Sequence, residues 1–127
     1  MRIGVLTGGG DCPGLNAAIR AVVFRAADYG YEVLGIEDGW RGLIEKRWVM
    51  LDIPSVDGII GSGGTILGAS RTNPFLREDD LGATLQNIRE LSIDAVIAMG
   101  GEDTLGVAKK LGDLGVKTVG IPKTMDN

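Results

Sequence analysis

The sequence predicts an α/β fold: a mainly parallel sheet with helices on both faces. Three observations carry this. Short apolar runs alternate with segments of helical period; the clearest runs end in glycines; and neither an internal repeat nor a linker interrupts the 127 residues, a length that suits one domain with its own core.

The elements follow in order. Arg2 to Thr7 is an apolar run that stops at Gly8-Gly9-Gly10, the pattern of a buried strand and a tight loop. Pro13 suits a helix start, and Leu15, Ile19, Val22, Val23 and Ala26 recur at helical spacing behind it. After a turn at Gly30, Glu32 to Ile36 reads as a second strand. Asp38 to Gly42 reads as a loop, Trp48 to Ile53 as a short edge strand, and Val56 to Ile60 as one or two helical turns ended by Gly61. A glycine-rich stretch from Gly63 to Arg71 has no clear period. Glu78, Asp79 and Asp80 suit the positive end of a helix dipole, with Leu81, Leu85 and Ile88 on the apolar face. Ala95 to Met99 is a strand, Gly100 to Asp103 its loop, Thr104 to Leu114 a helix, and Lys117 to Ile121 a last strand before Pro122 to Asn127.

Composition narrows the chemistry. There are 21 glycines, where average usage of about 7% gives roughly nine. They cluster in short runs, which points to turns and ligand loops. The net charge of −4 repels a polyanion, so no nucleic-acid partner is expected. Without histidine there is no Ser-His-Asp chemistry and no His-ligated zinc. One cysteine, Cys12, allows no internal disulfide. Together with the absence of a signal peptide or long apolar run, this sets the expectation of a cytoplasmic protein with no membrane partner. A metal here is expected to be a hard ion, Mg²⁺.

In an open α/β sheet, ligands bind beyond the carboxyl ends of the strands. Three loops leave strands there: Gly8 to Pro13, Gly100 to Thr104 and Pro122 to Asn127. Glycines let backbone N–H groups approach an anion, and a following helix points its positive end at it. One such loop is equally well explained as a tight turn; two at one sheet edge favour a phosphate cradle. It is not a dinucleotide fingerprint, because Pro13 stands where a third glycine belongs. It is not a Walker loop, because the chain has no Gly-Lys pair.

The motifs Leu6-Thr7-Gly8-Gly9-Gly10-Asp11-Cys12-Pro13-Gly14-Leu15-Asn16, Asp38-Gly39-Trp40-Arg41-Gly42, Gly63-Gly64-Thr65-Ile66-Leu67-Gly68-Ala69-Ser70-Arg71, Gly100-Gly101-Glu102-Asp103-Thr104 and Pro122-Lys123-Thr124-Met125-Asp126-Asn127 resemble, in this order, those of 6-phosphofructokinases. The resemblance spans the whole chain. It implies a Rossmann-like three-layer sandwich, residues 1–127 forming the donor-phosphate lobe of a two-lobed enzyme. It implies Mg²⁺-dependent phosphoryl transfer to the 1-hydroxyl of fructose 6-phosphate, in a parent that is a homo-oligomer, dimer or tetramer. Gly10, Gly101, Asp103, Thr104 and Lys123 then meet the donor phosphates. Arg71 neutralises the transferring group, and Glu102 faces the metal. Asp126 takes the hydroxyl proton, beside Thr124 and Met125 at the sugar phosphate.

Two positions bear on the donor. ATP-using members place glycine where this chain has Asp103; the carboxylate there, paired with Lys123, resembles pyrophosphate-dependent members. ATP dependence, or a non-catalytic phosphate-binding module, is the alternative. Glu102 stands where many relatives have aspartate. Arg20 matches one arginine of the bacterial effector site, but Phe24 and Ile53 replace others, which implies weak or absent allosteric control. The chain is expected to be a truncated piece lacking the second, sugar-phosphate-binding lobe. Plainer readings stand beside these: Asp11 as a helix N-cap, Trp40 as cover for apolar surface, Lys109-Lys110 as an exposed face, Cys12 as a packing residue.

Overall fold

The computed structural model describes residues 1–9, 15–59 and 64–123. Its five-stranded sheet contains β1 (Arg2–Thr7), β2 (Glu32–Ile36), β3 (Trp48–Leu51), β4 (Ala95–Gly100) and β5 (Thr118–Pro122), in the order β3-β2-β1-β4-β5. The pairs β1–β2, β1–β4 and β4–β5 are parallel; β3 runs antiparallel along one edge.

Alternation along the central strands loads both faces. Val5, Val33 and Met99 point to one side, where α1 (Leu15–Asp28) contributes Leu15, Ile19, Val23 and Ala26 and the one-turn α3 (Ile53–Val56) contributes Val56. Leu6, Leu34, Ile36, Val96 and Ala98 point to the other. There they meet α2 (Trp40–Glu45), α4 (Glu78–Glu90) and α5 (Glu102–Asp113). A sheet covered on both faces explains why β1 and β4 read as continuous apolar runs rather than alternating ones.

The strands and the two longest helices lie close to their sequence-based positions. Three places differ. Residues 40–45, read partly as loop, form α2 despite Gly42, because burying Trp40 and Leu43 outweighs glycine's helix cost of about 1 kcal/mol. Where one or two helical turns were expected over 56–60, a turn already stands at Ile53–Val56, set by a reciprocal capping box between Asp52 and Ser55 with Pro54 in the first turn, while Ile60 lies outside the described residues. Helix α5 begins at Glu102, two residues earlier than expected, which puts both acids in its first turn. A 3-10 turn at Pro74–Leu76, capped by Asn73, precedes α4.

One buried polar residue joins α4 to α2. Asn87 Nδ2 donates to the Leu43 and Ile44 carbonyls at 2.7 and 3.1 Å, satisfying groups that the end of α2 leaves without helical partners. Asn87→Ala strands those acceptors, and the expected loss is about 1–3 kcal/mol by urea unfolding of the variant and parent chains. A loss below about 0.5 kcal/mol, the range of ordinary surface changes, would refute this account.

No helix among the described residues is long and apolar enough to cross a membrane.

Candidate functional site

The chain leaves β1 toward β2 on one side, and leaves β4 toward β5 on the other. The connections therefore diverge between β1 and β4, the switch point at which α/β sheets take ligands. Here the backbone is drawn tight. Gly8 N–H donates to Met99 C=O at 2.9 Å, and a Cβ on Gly8 would occupy the place of the Thr104 side chain. A Cβ on Gly100 would meet Gly8 O at 2.6 Å. Glycine at both positions lets Thr104, 5% exposed, wedge the start of α5 against the end of β1.

A cleft of about 550 Å³ opens at this edge, lined by Gly9, Ser70, Arg71, Gly101, Glu102, Asp103 and Thr104, with Trp40, Leu76 and Val107 on its apolar side. Gly101 is the N-cap residue of α5 and has no side chain to accept from the first-turn N–H groups of this 12-residue helix, whose first residues line the cleft. Its positive end is well placed for an anion. The Arg71, Glu102 and Asp103 side chains are exposed on the cleft, and none has an ion-pair partner among the described residues.

Five of the residues predicted from sequence thus share one cleft: Arg71, Gly101, Glu102, Asp103 and Thr104. Lys123 is half-buried and not part of the lining; its N–H donates to Gly100 C=O at 2.9 Å, which fixes its backbone beside the end of β4. Gly10, Thr124, Met125 and Asp126 lie outside the described residues, as do Asp11, Cys12 and Pro13.

The sequence assigned no individual role to the cleft residues Gly9, Ser70, Thr72, Asn73, Leu76 and Val107, although Gly9 lies in the loop read as part of a phosphate cradle. Ser70 stood inside a quoted motif, so its neighbourhood was visible though its role was not. Trp40 is both things at once: 2% exposed in the core below α2 and part of the cleft's apolar wall.

Among the described residues no group of three or more His, Cys, Asp or Glu side chains gathers to hold an ion. A single exposed carboxylate at Glu102 nonetheless fits Mg²⁺, which binds through one or two carboxylates together with substrate phosphates and water.

A doubly wound α/β domain with a glycine-lined, helix-headed cleft at its switch point is the class that fold and site define. Comparison with known proteins makes it specific. The family model for phosphofructokinase matches residues 2–127, and the chain belongs to that family. It is 57% identical to the pyrophosphate–fructose 6-phosphate 1-phosphotransferase of Dictyoglomus thermophilum, over 99% of this chain and 36% of that protein. It is 54% identical to the ATP-dependent 6-phosphofructokinase 3 of Streptomyces coelicolor, over 100% of this chain and 38% of that protein. The crystal structure of Pichia pastoris phosphofructokinase in the T-state superposes with a TM-score of 0.93 at 29% identity, covering 99% of this chain and 15% of that one. The chain spans little more than a third of the length of the curated relatives it matches.

Proposed function

We propose that these residues form the donor-phosphate domain of a cytoplasmic enzyme that moves a phosphoryl group from pyrophosphate to the 1-hydroxyl of fructose 6-phosphate, giving fructose 1,6-bisphosphate. The observation that carries the reading is the cleft itself, which Arg71, without an ion-pair partner among the described residues, lines together with two carboxylates on the first turn of α5. Phosphoryl transfer asks little covalent chemistry of a protein; it asks for positioned charge around the phosphate oxygens.

The roles divide accordingly. Arg71 and the N–H groups at the start of α5 stabilise negative charge on the transferring group. Glu102 would hold Mg²⁺, which when bound would supply further charge neutralisation on the donor. Asp103 sets a negative limit to the donor side of the cleft. Gly10 and Lys123 complete the donor contacts, and Thr124, Met125 and Asp126 meet the sugar phosphate, with Asp126 accepting the hydroxyl proton. The remaining sugar contacts come from a second lobe, in a homo-oligomeric parent.

The test is a coupled assay on the full-length polypeptide that carries these residues. Turnover with Mg-pyrophosphate and little or none with Mg-ATP is expected; the reverse defeats the donor assignment. One observation favours ATP as the second reading. A volume of about 550 Å³ whose lining includes Trp40, Leu76 and Val107 exceeds what a small inorganic anion fills.

Control by nucleotides is expected to be weak. Arg20 is already engaged, with Nη2 3.5 Å from Asp57 and its guanidinium 4.1 Å from the Phe24 ring centre. Addition of nucleoside diphosphate at sub-saturating sugar phosphate is expected to change the rate by less than about twofold, well below the 5–150-fold of ordinary allosteric coupling. A clear sigmoidal-to-hyperbolic shift on that addition would overturn the expectation.

A further inference from the structure

Arg71 is delivered to the cleft by a connected set of bonds that lies behind it. At the carboxyl end of β2 the chain turns through Asp38 at φ 58° and Gly39 at φ 65°. An aspartate in this left-handed region is held there by its surroundings. Arg47 Nη2 donates to the Asp38 carboxylate at 2.7 Å, and the Asp38 N–H donates to Leu67 C=O at 2.9 Å. The Asp38 C=O in turn accepts from the Ser70 hydroxyl at 2.6 Å.

Ser70 is bound on its other side as well: its C=O accepts from Gly9 N–H at 3.2 Å. Thr7 Oγ1 adds a bond to Gly68 C=O at 2.7 Å, and Leu67 is seated over Gly35, where a Cβ would come within 2.6 Å of it. The residue immediately before Arg71 is therefore tied to the ends of two parallel strands. The Arg47–Asp38 pair is about 40% exposed on both sides, a setting in which ion pairs contribute little stability. The pair anchors the Asp38 side chain, and the carbonyl of the same residue accepts from Ser70.

We infer that Ser70, braced by Asp38 and Arg47, is a positioning residue that fixes Arg71 for phosphoryl transfer; the inference rests on the reading of the cleft given above. The Ser70 hydroxyl is engaged by backbone on both sides, donating to Asp38 C=O and accepting from Thr72 N–H at 3.4 Å, so its effect is expected to reach the reaction through Arg71.

A double-mutant cycle on the full-length polypeptide tests this, with Mg-pyrophosphate and fructose 6-phosphate as substrates. Ser70→Ala is expected to lower kcat about tenfold, in line with the cost of sub-ångström misplacement of a reacting group. Ser70→Thr keeps the hydroxyl and recovers most of the rate. Arg47→Gln, which keeps the Ser70 side chain but removes the ion pairs to Asp38 and Glu45, is expected to lower kcat in the same direction by a smaller factor. Adding Ser70→Ala to Arg71→Ala costs less than about twofold more, because the positioned group is gone.

An equal tenfold loss in both backgrounds overturns the inference, as does a Ser70→Ala enzyme as fast as the parent or a Ser70→Thr enzyme as slow as Ser70→Ala. If the parent turns over ATP instead, the donor reading fails and the same cycle is read with ATP. If it binds Mg-pyrophosphate without turnover, the cycle is read in the dissociation constant by calorimetry. A parent that neither binds nor turns over either donor sinks both readings.

Discussion

Replacing Arg71 by alanine is expected to lower phosphoryl transfer by about 10²–10³, the usual cost of removing one group aimed at developing charge, with an unchanged melting temperature. The two halves of that expectation have separate physical sources. The side chain is exposed and has no ion-pair partner among the described residues, so the folded state loses almost nothing with it. In the transition state, negative charge spreads over the equatorial oxygens of the transferring group, and a planar guanidinium can meet two of them together. Arg71→Lys restores the charge but not the fork, so it is expected to recover only part of the rate. Measuring kcat and thermal melting on the same preparations decides the matter. A variant that melts as the parent does and turns over at the parent rate would show that Arg71 is only a solvated charge.

Much of this was legible in sequence, for physical reasons that also explain what was not. Buried parallel strands must be apolar throughout, so β1, β2 and β4 stand out as runs, and α1 and α4 show their period because one face of each is buried. Helix α2 was missed because Gly39 and Gly42 argue locally for a loop. Its stability comes from Trp40 and Leu43 in the core and from Asn87 on another helix, neither of which a local window sees. The start of α5 was misplaced because Glu102 and Asp103 were read as ligand-loop residues. Acids in a first helical turn also serve the helix dipole, so the two have a structural as well as a chemical reason to be there. The Gly63 to Arg71 stretch showed no period, and its described residues, 64–71, form no helix or strand. It is held by bonds to residues 9, 38 and 7 that are dozens of positions away. Composition shows that such a loop needs glycine; it does not show which strand ends the loop lies across.

Donor choice rests on fewer atoms than family membership does. A pyrophosphate-dependent relative and an ATP-dependent one match this chain at 57% and 54% identity, so overall similarity does not separate them. Asp103 is where the separation is expected. It lies on the first turn of α5 and lines the cleft beside Glu102, so the added phosphate of a longer donor seated at the helix N-terminus is expected to approach its carboxylate. Two unit charges about 4 Å apart repel by roughly 4 kcal/mol at an effective dielectric of 20. Screening at an exposed position cuts this to a fraction, and we take about 1.4–2.8 kcal/mol, a factor of 10 to 100, as what remains. Pyrophosphate has no third phosphate to bring near the acid; ATP has.

Asp103→Gly is therefore expected to raise the ratio of ATP-supported to pyrophosphate-supported kcat/KM by about 10–100-fold, while costing about 1 kcal/mol of stability for glycine in a helix. Asp103→Asn separates charge from space, since it removes the first and keeps most of the second. If repulsion dominates, both variants shift the ratio alike. If room for the nucleotide dominates, only the glycine does. A ratio that moves in neither variant would mean that donor preference lies outside this turn of helix, and the pyrophosphate assignment would lose its main physical support.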